Sequence, residues 1–182
     1  MIFTGTEIKG MYVIEPEPHM DERGFFARSF CKEEFRKKGL ETEIVQCNIS
    51  YNKKSGTLRG MHYQVPPFEE AKIVSCVRGS IYDVVVDLRR DSPSYCRWFA
   101  TELTEHNFKM VYIPKGCAHG FQTLVDDCMV YYQMTEFYHP EYAQGVRWDD
   151  PQFAIEWPDT QKRTLSDRDQ KYKPMFDGGD PV

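Results

Sequence analysis

The sequence predicts a mostly β protein, a sandwich or barrel, with short peripheral helices. Three observations point there. From residue 43 to about 148, turn signals recur about every ten residues, the spacing of short strands. Aromatic residues make up 14% of the 182 residues, and such wide, flat side chains suit pleated sheets. Only Lys32–Lys38 carries helix signals at both ends. At this length the chain is expected to form one domain, residues 1–182, with a core that needs no staples.

The elements follow in order. Met11–Ile14 is a short apolar run, with Pro16 and Pro18 close behind. Asp21-Glu22-Arg23-Gly24 reads as a turn, and Phe25–Phe30 as the strand after it. In Lys32–Lys38, Glu33 and Glu34 fall in the first turn and Lys37 and Lys38 in the last, matching the helix dipole, and Gly39 supplies a C-cap. Strands are then predicted over Glu43–Ser50, Thr57–Gln64, Lys72–Arg78, Ser80–Arg89, Trp98–Leu103, Lys109–Ile113, Gly120–Thr123 and Cys128–Thr135. The turns between them fall at Lys53–Gly56, Arg78-Gly79, Arg90–Pro93 and Pro114–Gly116. In Ser80–Arg89 the apolar residues Ile81, Val84, Val85, Val86 and Leu88 break strict alternation, so both faces are expected to be covered. The last 35 residues carry Pro151, Pro158, Pro174 and Pro181 and read as a wrapped tail with one or two helical turns, Ser166 capping one.

Charge narrows the function classes. Lys plus Arg is 23 against 28 for Asp plus Glu, a net −5 with no basic tract, which argues against nucleic acid. An anionic ligand would need a local basic cluster. No apolar run reaches the roughly 18 residues of a membrane span. The first residues lack a signal-peptide pattern, so a cytoplasmic location is expected. The six cysteines form no C-x-x-C pair and read as reduced, mostly buried thiols, against both a disulfide scaffold and a thiolate zinc site.

Two strings stand out as chemistry. In Thr57-Leu58-Arg59-Gly60-Met61-His62-Tyr63-Gln64, alternation puts Leu58, Gly60, His62 and Gln64 on one face and Arg59, Met61 and Tyr63 on the other. His62 is then either a base facing a cavity or a hydrogen-bonded core histidine. In Ile113-Pro114-Lys115-Gly116-Cys117-Ala118-His119-Gly120, the P-x-G-x-x-H spacing resembles the second motif of the cupin barrels. The first cupin motif ends in H-x-H and is followed by a Glu; here the pair is His62-Tyr63-Gln64. One nitrogen donor of the three-histidine, one-carboxylate metal set is lost. His62, Glu70 and His119 imitate only part of that set, so no metal is expected. Lys72 opens an apolar strand beside Val74 and Cys76, either snorkelling or functional. Tyr131, Tyr132 and Tyr138 crowd one stretch, as sheet filling or as site residues.

In order and spacing, these strings resemble the dTDP-4-dehydrorhamnose 3,5-epimerase family along nearly the whole chain. The resemblance runs from Asp21-Glu22-Arg23-Gly24-Phe25-Phe26 through Gln46-Cys47-Asn48-Ile49-Ser50, LRGMHYQ, Lys72, DVVVDLR and IPKGCAHGF. It continues through Trp148-Asp149-Asp150-Pro151 and Trp157-Pro158 to Leu165-Ser166-Asp167-Arg168-Asp169. It implies a cupin-like double-stranded β-helix, or jelly roll. It also implies a nucleoside-diphosphate 4-keto-6-deoxyhexose epimerised at carbons 3 and 5 without metal or redox cofactor. His62 would be the base, Asp169 the carboxylate that orients it, Lys72 the cation at the enolate oxygen and Tyr132 the acid on the other ring face. Arg59, Gln46, Asn48 and His119 would line the sugar and pyrophosphate, and Tyr138 the sugar or base. Arg23 and Phe26 match residues that reach a neighbour's nucleotide in a homodimer with exchanged strands. At position 28 the family usually has a Glu for thymine, and here Arg28 stands there, which leaves dTDP or CDP open. Gln133 replaces a frequent Lys. The competing readings are a carbon-3-only epimerase, a 3,4-ketoisomerase, a metal-dependent oxygenase and a non-catalytic sugar-binding barrel.

Overall fold

A computed structural model describes residues 1–175. Its strands are β1 (Ile2–Gly5), β2 (Tyr12–Glu15), β3 (His19–Asp21), β4 (Gly24–Phe26), β5 (Gln46–Asn52), β6 (Leu58–Gln64) and β7 (Lys72–Arg78). They continue with β8 (Ser80–Asp87), β9 (Trp98–Thr104), β10 (Met110–Ile113), β11 (Cys117–Thr123), β12 (Cys128–Met134) and β13 (Ala143–Gly145). Two short helices, α1 (Lys32–Lys37) and α2 (Asp167–Gln170), lie outside the sheets.

The strands form a six-stranded sheet, β1-β2-β10-β7-β12-β5, and a five-stranded sheet, β13-β6-β11-β8-β9, with β3-β4 as a separate hairpin. Side chains from both large sheets meet between them: Val74, Cys76, Val111 and Val130 from one, Ile81, Val85, Leu103 and Phe121 from the other. This is the jelly roll expected from the sequence. No helix among the described residues is long and apolar enough to cross a membrane.

Most elements fall where the pattern puts them. β8 has Ile81 and Val85 in the central core and Val84 and Val86 in a second cluster on the outer face, so both its faces are covered. α1 buries Phe35 against Ile14, Ile73 and Tyr112 on the six-stranded sheet. The predicted strand Phe25–Phe30 is a shorter one, Gly24–Phe26, paired back on His19–Asp21. Glu43–Ser50 is shifted to Gln46–Asn52, and β11 starts at Cys117, directly after the predicted turn. β1 and β13 were not predicted; both lie at sheet edges and are too short for a periodic pattern.

The tail wraps the outer face of the five-stranded sheet, burying Phe153 against Met61, Val84 and Val86, with Ile155 and Trp157 packed alongside. It is pinned at the start of β6, where the Leu58 N–H donates to the Thr164 carbonyl at 2.8 Å and the Thr164 N–H to the Gly56 carbonyl at 2.9 Å. Ser166 then caps α2, its hydroxyl accepting the Asp169 N–H at 3.1 Å. The tail reading around Pro181 lies outside the described residues. All six cysteines are free, and three of them, Cys76, Cys117 and Cys128, are buried. Burial pushes the Cys76 and Cys117 thiols up to about 12, where they stay protonated and inert.

Candidate active site

A cleft of about 250 Å³ opens between the two sheets. Sheet register decides which side chains enter it. On β7, Lys72, Val74 and Cys76 share one face, and Val74 and Cys76 lie in the central core, so Lys72 points the same way at the strand's open end. β12 pairs Tyr132 with Val74 and Met134 with Lys72, which brings Tyr132 to the same wall.

β6 supplies the opposite wall and corrects one expectation. Strict alternation separates Arg59 from His62, yet both line the cleft. The reason is an irregularity in pairing: His119 faces His62 but Phe121 faces Arg59, so β6 carries an extra residue between those pairs. Gly60 sits in this bulge with φ at +137°. A Cβ there would lie 2.5 Å from the Gly120 Cα, so only glycine fits the close approach of β6 and β11.

His62 Nε2 lies 2.7 Å from Asp169 Oδ1. Burial pushes the Asp169 carboxyl up. The His62 hydrogen bond and charge, the Gly60 N–H and Ser166 outweigh that and leave it below its ordinary value. An ionised carboxylate only accepts, so in this hydrogen bond Nε2 is the donor. Tyr172 packs edge-on against the His62 ring, centroids 5.9 Å apart. Its ring occupies the notch at Gly145, where a Cβ would lie 2.3 Å from Cζ.

Opposite, burial raises the Tyr132 hydroxyl above its ordinary value; Arg59 opposes this and Tyr138 adds to it. Tyr132 therefore holds its proton at neutral pH. Lys72 Nζ pairs with Glu70 Oε1 at 2.7 Å, both side chains largely buried. His119 Nε2 lies 2.7 Å from Asp83 Oδ2, with Asp83 fully buried.

The remaining predicted residues divide. Arg59 lines the cleft, its Nε donating to Asn52 Oδ1 at 2.7 Å, and Tyr138 lines it too. Gln46 and Asn48 do not line it. They support those that do: Gln46 Oε1 accepts the Tyr138 N–H at 3.0 Å, and Asn48 Nδ2 donates to Met134 Sδ at 3.4 Å. Arg23 and Phe26 lie on the exposed β3–β4 hairpin, Arg23 paired with Asp21. Arg28 pairs with Glu34 of α1 at 3.1 Å. None of these three lines this chain's cleft. Its Lys and Arg side chains are Arg59, Lys72 and Arg168.

Sequence reasoning missed Arg168, Asp83, the pairing of Glu70 with Lys72, and Tyr172. One signal was readable: Asp83 and Asp87 have the same parity as core-facing Ile81 and Val85 on an apolar strand. Gln64, which stands where a cupin has its second metal histidine, is fully engaged. Its Nε2 donates to the Phe68 and Phe137 carbonyls and its Oε1 accepts the His139 N–H. The described residues contain no group of three or more His, Cys, Asp or Glu side chains placed to hold a metal ion.

The jelly roll thus sets a histidine–carboxylate pair against a protonated tyrosine, with a buried lysine beside the tyrosine, the side-chain types that acid–base chemistry uses. A family profile described as dTDP-4-dehydrorhamnose 3,5-epimerase matches residues 5–177. The dTDP-4-dehydrorhamnose 3,5-epimerase of Methanothermobacter thermautotrophicus is 42% identical over 175 residues, spanning 95% of this chain and 94% of that one. The crystal structure of the dTDP-4-dehydrorhamnose 3,5-epimerase from Elizabethkingia anophelis matches with a TM-score of 0.93 at 35% identity, covering 96% of each chain. That of dTDP-6-deoxy-D-glucose-3,5-epimerase from Legionella pneumophila, solved with dTDP-4-keto-L-rhamnose, gives 0.90 at 37% identity over 95% of this chain and 92% of that one. The chain belongs to the dTDP-4-dehydrorhamnose 3,5-epimerase family, whose members are isomerases.

Proposed function

We propose that this protein epimerises carbons 3 and 5 of a nucleoside-diphosphate 4-keto-6-deoxyhexose. The observation that carries the reading is a histidine and a tyrosine on opposite sheets across one cleft. His62 comes from β6 of the five-stranded sheet and Tyr132 from β12 of the six-stranded sheet.

A hydrogen next to a ketone is weakly acidic, and its removal puts negative charge on the ketone oxygen. His62 Nδ1 takes that proton, and Asp169 stabilises the imidazolium that forms. Lys72 holds the enolate oxygen, where a fixed charge in a dry site acts strongly. Tyr132 returns a proton to the same carbon from the other face, inverting it. His62 then gives its proton to solvent and Tyr132 regains one from solvent, and repetition at the second carbon flanking the ketone completes the reaction. Arg59 and Arg168 suit a pyrophosphate, since each guanidinium fork pairs with two oxygens.

The functional unit in this proposal is a homodimer with exchanged strands. Two features support it. α1 packs on β2, β10 and the Ile73 end of β7, leaving Ile49 65% and Val77 50% exposed elsewhere on the six-stranded sheet. The β3–β4 hairpin holds Phe26 at 74% exposure, and such a patch suits a second copy. The 5–177 match supports one domain over the chain, and six free thiols suit the cytoplasm.

The test is incubation with dTDP- and CDP-linked 4-keto-6-deoxyglucose in heavy water, followed by NMR. Deuterium at carbons 3 and 5 is expected, and the faster nucleotide identifies the natural one. Exchange at carbon 3 alone would make the protein a single epimerase, and exchange at neither would overturn the reading.

A further inference from the structure

Glu70 has no part in the acid–base scheme, yet it lies on the wall of the same cleft with its side chain only 3% exposed. Its Oε1 accepts the Lys72 ammonium at 2.7 Å. Its Oε2 is buried and has no partner among the described residues. The backbone beside it is fixed: the Ala71 N–H donates to Thr135 Oγ1 at 2.8 Å, and the Thr135 N–H to the Ala71 carbonyl at 3.0 Å. A buried carboxylate oxygen without a donor is costly, and a ligand hydroxyl that reaches it removes that cost.

We propose that Glu70 is a specificity-determining residue whose Oε2 accepts the hydroxyl on carbon 3 of the sugar. The proposal rests on the placement of Lys72 at the ketone oxygen given above. With Nζ shared between that oxygen and Glu70 Oε1, Oε2 is the carboxylate's remaining acceptor. The next donor along the sugar is a hydroxyl on a carbon flanking the ketone. Carbon 5 carries the ring oxygen and the methyl group, so only carbon 3 offers one. When carbon 3 loses its proton, its hydroxyl falls into the plane of the enolate. Lys72 and Glu70 then face the two adjacent sugar oxygens as donor and acceptor. The ion pair therefore reads a 4-keto, 3-hydroxy pattern, and a 3-deoxy sugar leaves Oε2 buried and unpaired.

The test compares two substrates in three proteins. The rate of deuterium entry at carbon 5, as kcat/KM, is measured for the nucleotide-linked 4-keto-6-deoxy sugar and for its 3-deoxy analogue. The proteins are the wild type, Glu70→Leu and Glu70→Gln. The wild type is expected to favour the 3-hydroxy sugar by about 100-fold or more. Glu70→Leu should bring that preference within about tenfold of unity, with Glu70→Gln between, because a neutral amide makes the weaker bond. Each preference is a ratio within one protein, so partial unfolding or a displaced Lys72 lowers both rates and cancels. Comparing ratios between proteins removes the sugars' intrinsic difference in acidity. An unchanged preference in Glu70→Leu overturns the proposal and leaves Glu70 as a holder of Lys72. If the wild type exchanges carbon 5 of neither sugar, the reading as an epimerase of both carbons fails and this inference with it.

Discussion

The cleft holds two histidine–carboxylate pairs with the same 2.7 Å separation and different settings. His119 sits on β11 and its partner Asp83 on the neighbouring β8, two core strands whose register fixes the pair. His119 is 11% exposed at its side chain and Asp83 is sealed. His62 is 41% exposed at its side chain, and its carboxylate comes from α2, 107 residues along the chain. One pair is built into the sheet; the other is closed by a tail pinned beside it. The contact distance alone therefore says little about role. Access decides which histidine meets a substrate proton, and in this scheme that is His62, with His119 orienting the substrate.

That contrast can be broken by mutation. The largest difference is expected between His62→Asn and His119→Asn. The first should lower kcat by about 100- to 10,000-fold, the range for a single general base. The second should act mainly on KM, by about tenfold, the loss of one hydrogen bond. Steady-state kinetics on both variants checks this, and equal losses in kcat would erase the distinction.

Gly60→Ala probes the place where the two pairs meet, since His62 and His119 are cross-strand partners there. Its Cβ would press on the Gly120 backbone at 2.5 Å while the residue keeps a positive φ. A loss of about 2–4 kcal/mol is expected in urea unfolding, combining strain and overpacking.

Ser166→Ala should separate the pairs more gently. It removes the cap of α2 and costs about 1 kcal/mol. It should lower kcat without changing the response of the enzyme to His119→Asn.

The smallest effect is on acid stability. Asp169 has a folded value below its unfolded one, so its contribution to stability is complete above about pH 4, the ordinary aspartate value. That contribution is lost as pH falls through the lowered folded value. Asp169→Asn should therefore lose less stability than the wild type between neutral and acid pH, read as the shift in unfolding midpoint.

Much of the fold was legible because it depends on local pattern. The ends of α1, the turns at Arg78-Gly79 and Pro114–Gly116 and the doubly covered β8 all follow from sequence. The wall of the cleft was less so. Alternation placed Arg59 and His62 on opposite faces because a bulge cannot be seen without the partner strand. Lys72 was noticed as a lysine on an apolar strand, but its partner Glu70 sits just outside the strand, where no period applies. Asp169 was named only through family resemblance, since closure between residues 62 and 169 depends on where the tail is pinned. Arg168 and Tyr172 reach the site by the same closure and were missed for the same reason.

The central claim is that His62 removes the proton and Tyr132 returns one from the other side. It is tested most directly by following deuterium entry and product formation together in heavy water, for His62→Asn and Tyr132→Phe. Both variants should lose product. Tyr132→Phe should still exchange substrate deuterium at a flanking carbon without inverting it, while His62→Asn should do neither. Inversion at a near-normal rate by Tyr132→Phe, or exchange retained by His62→Asn, would contradict the account.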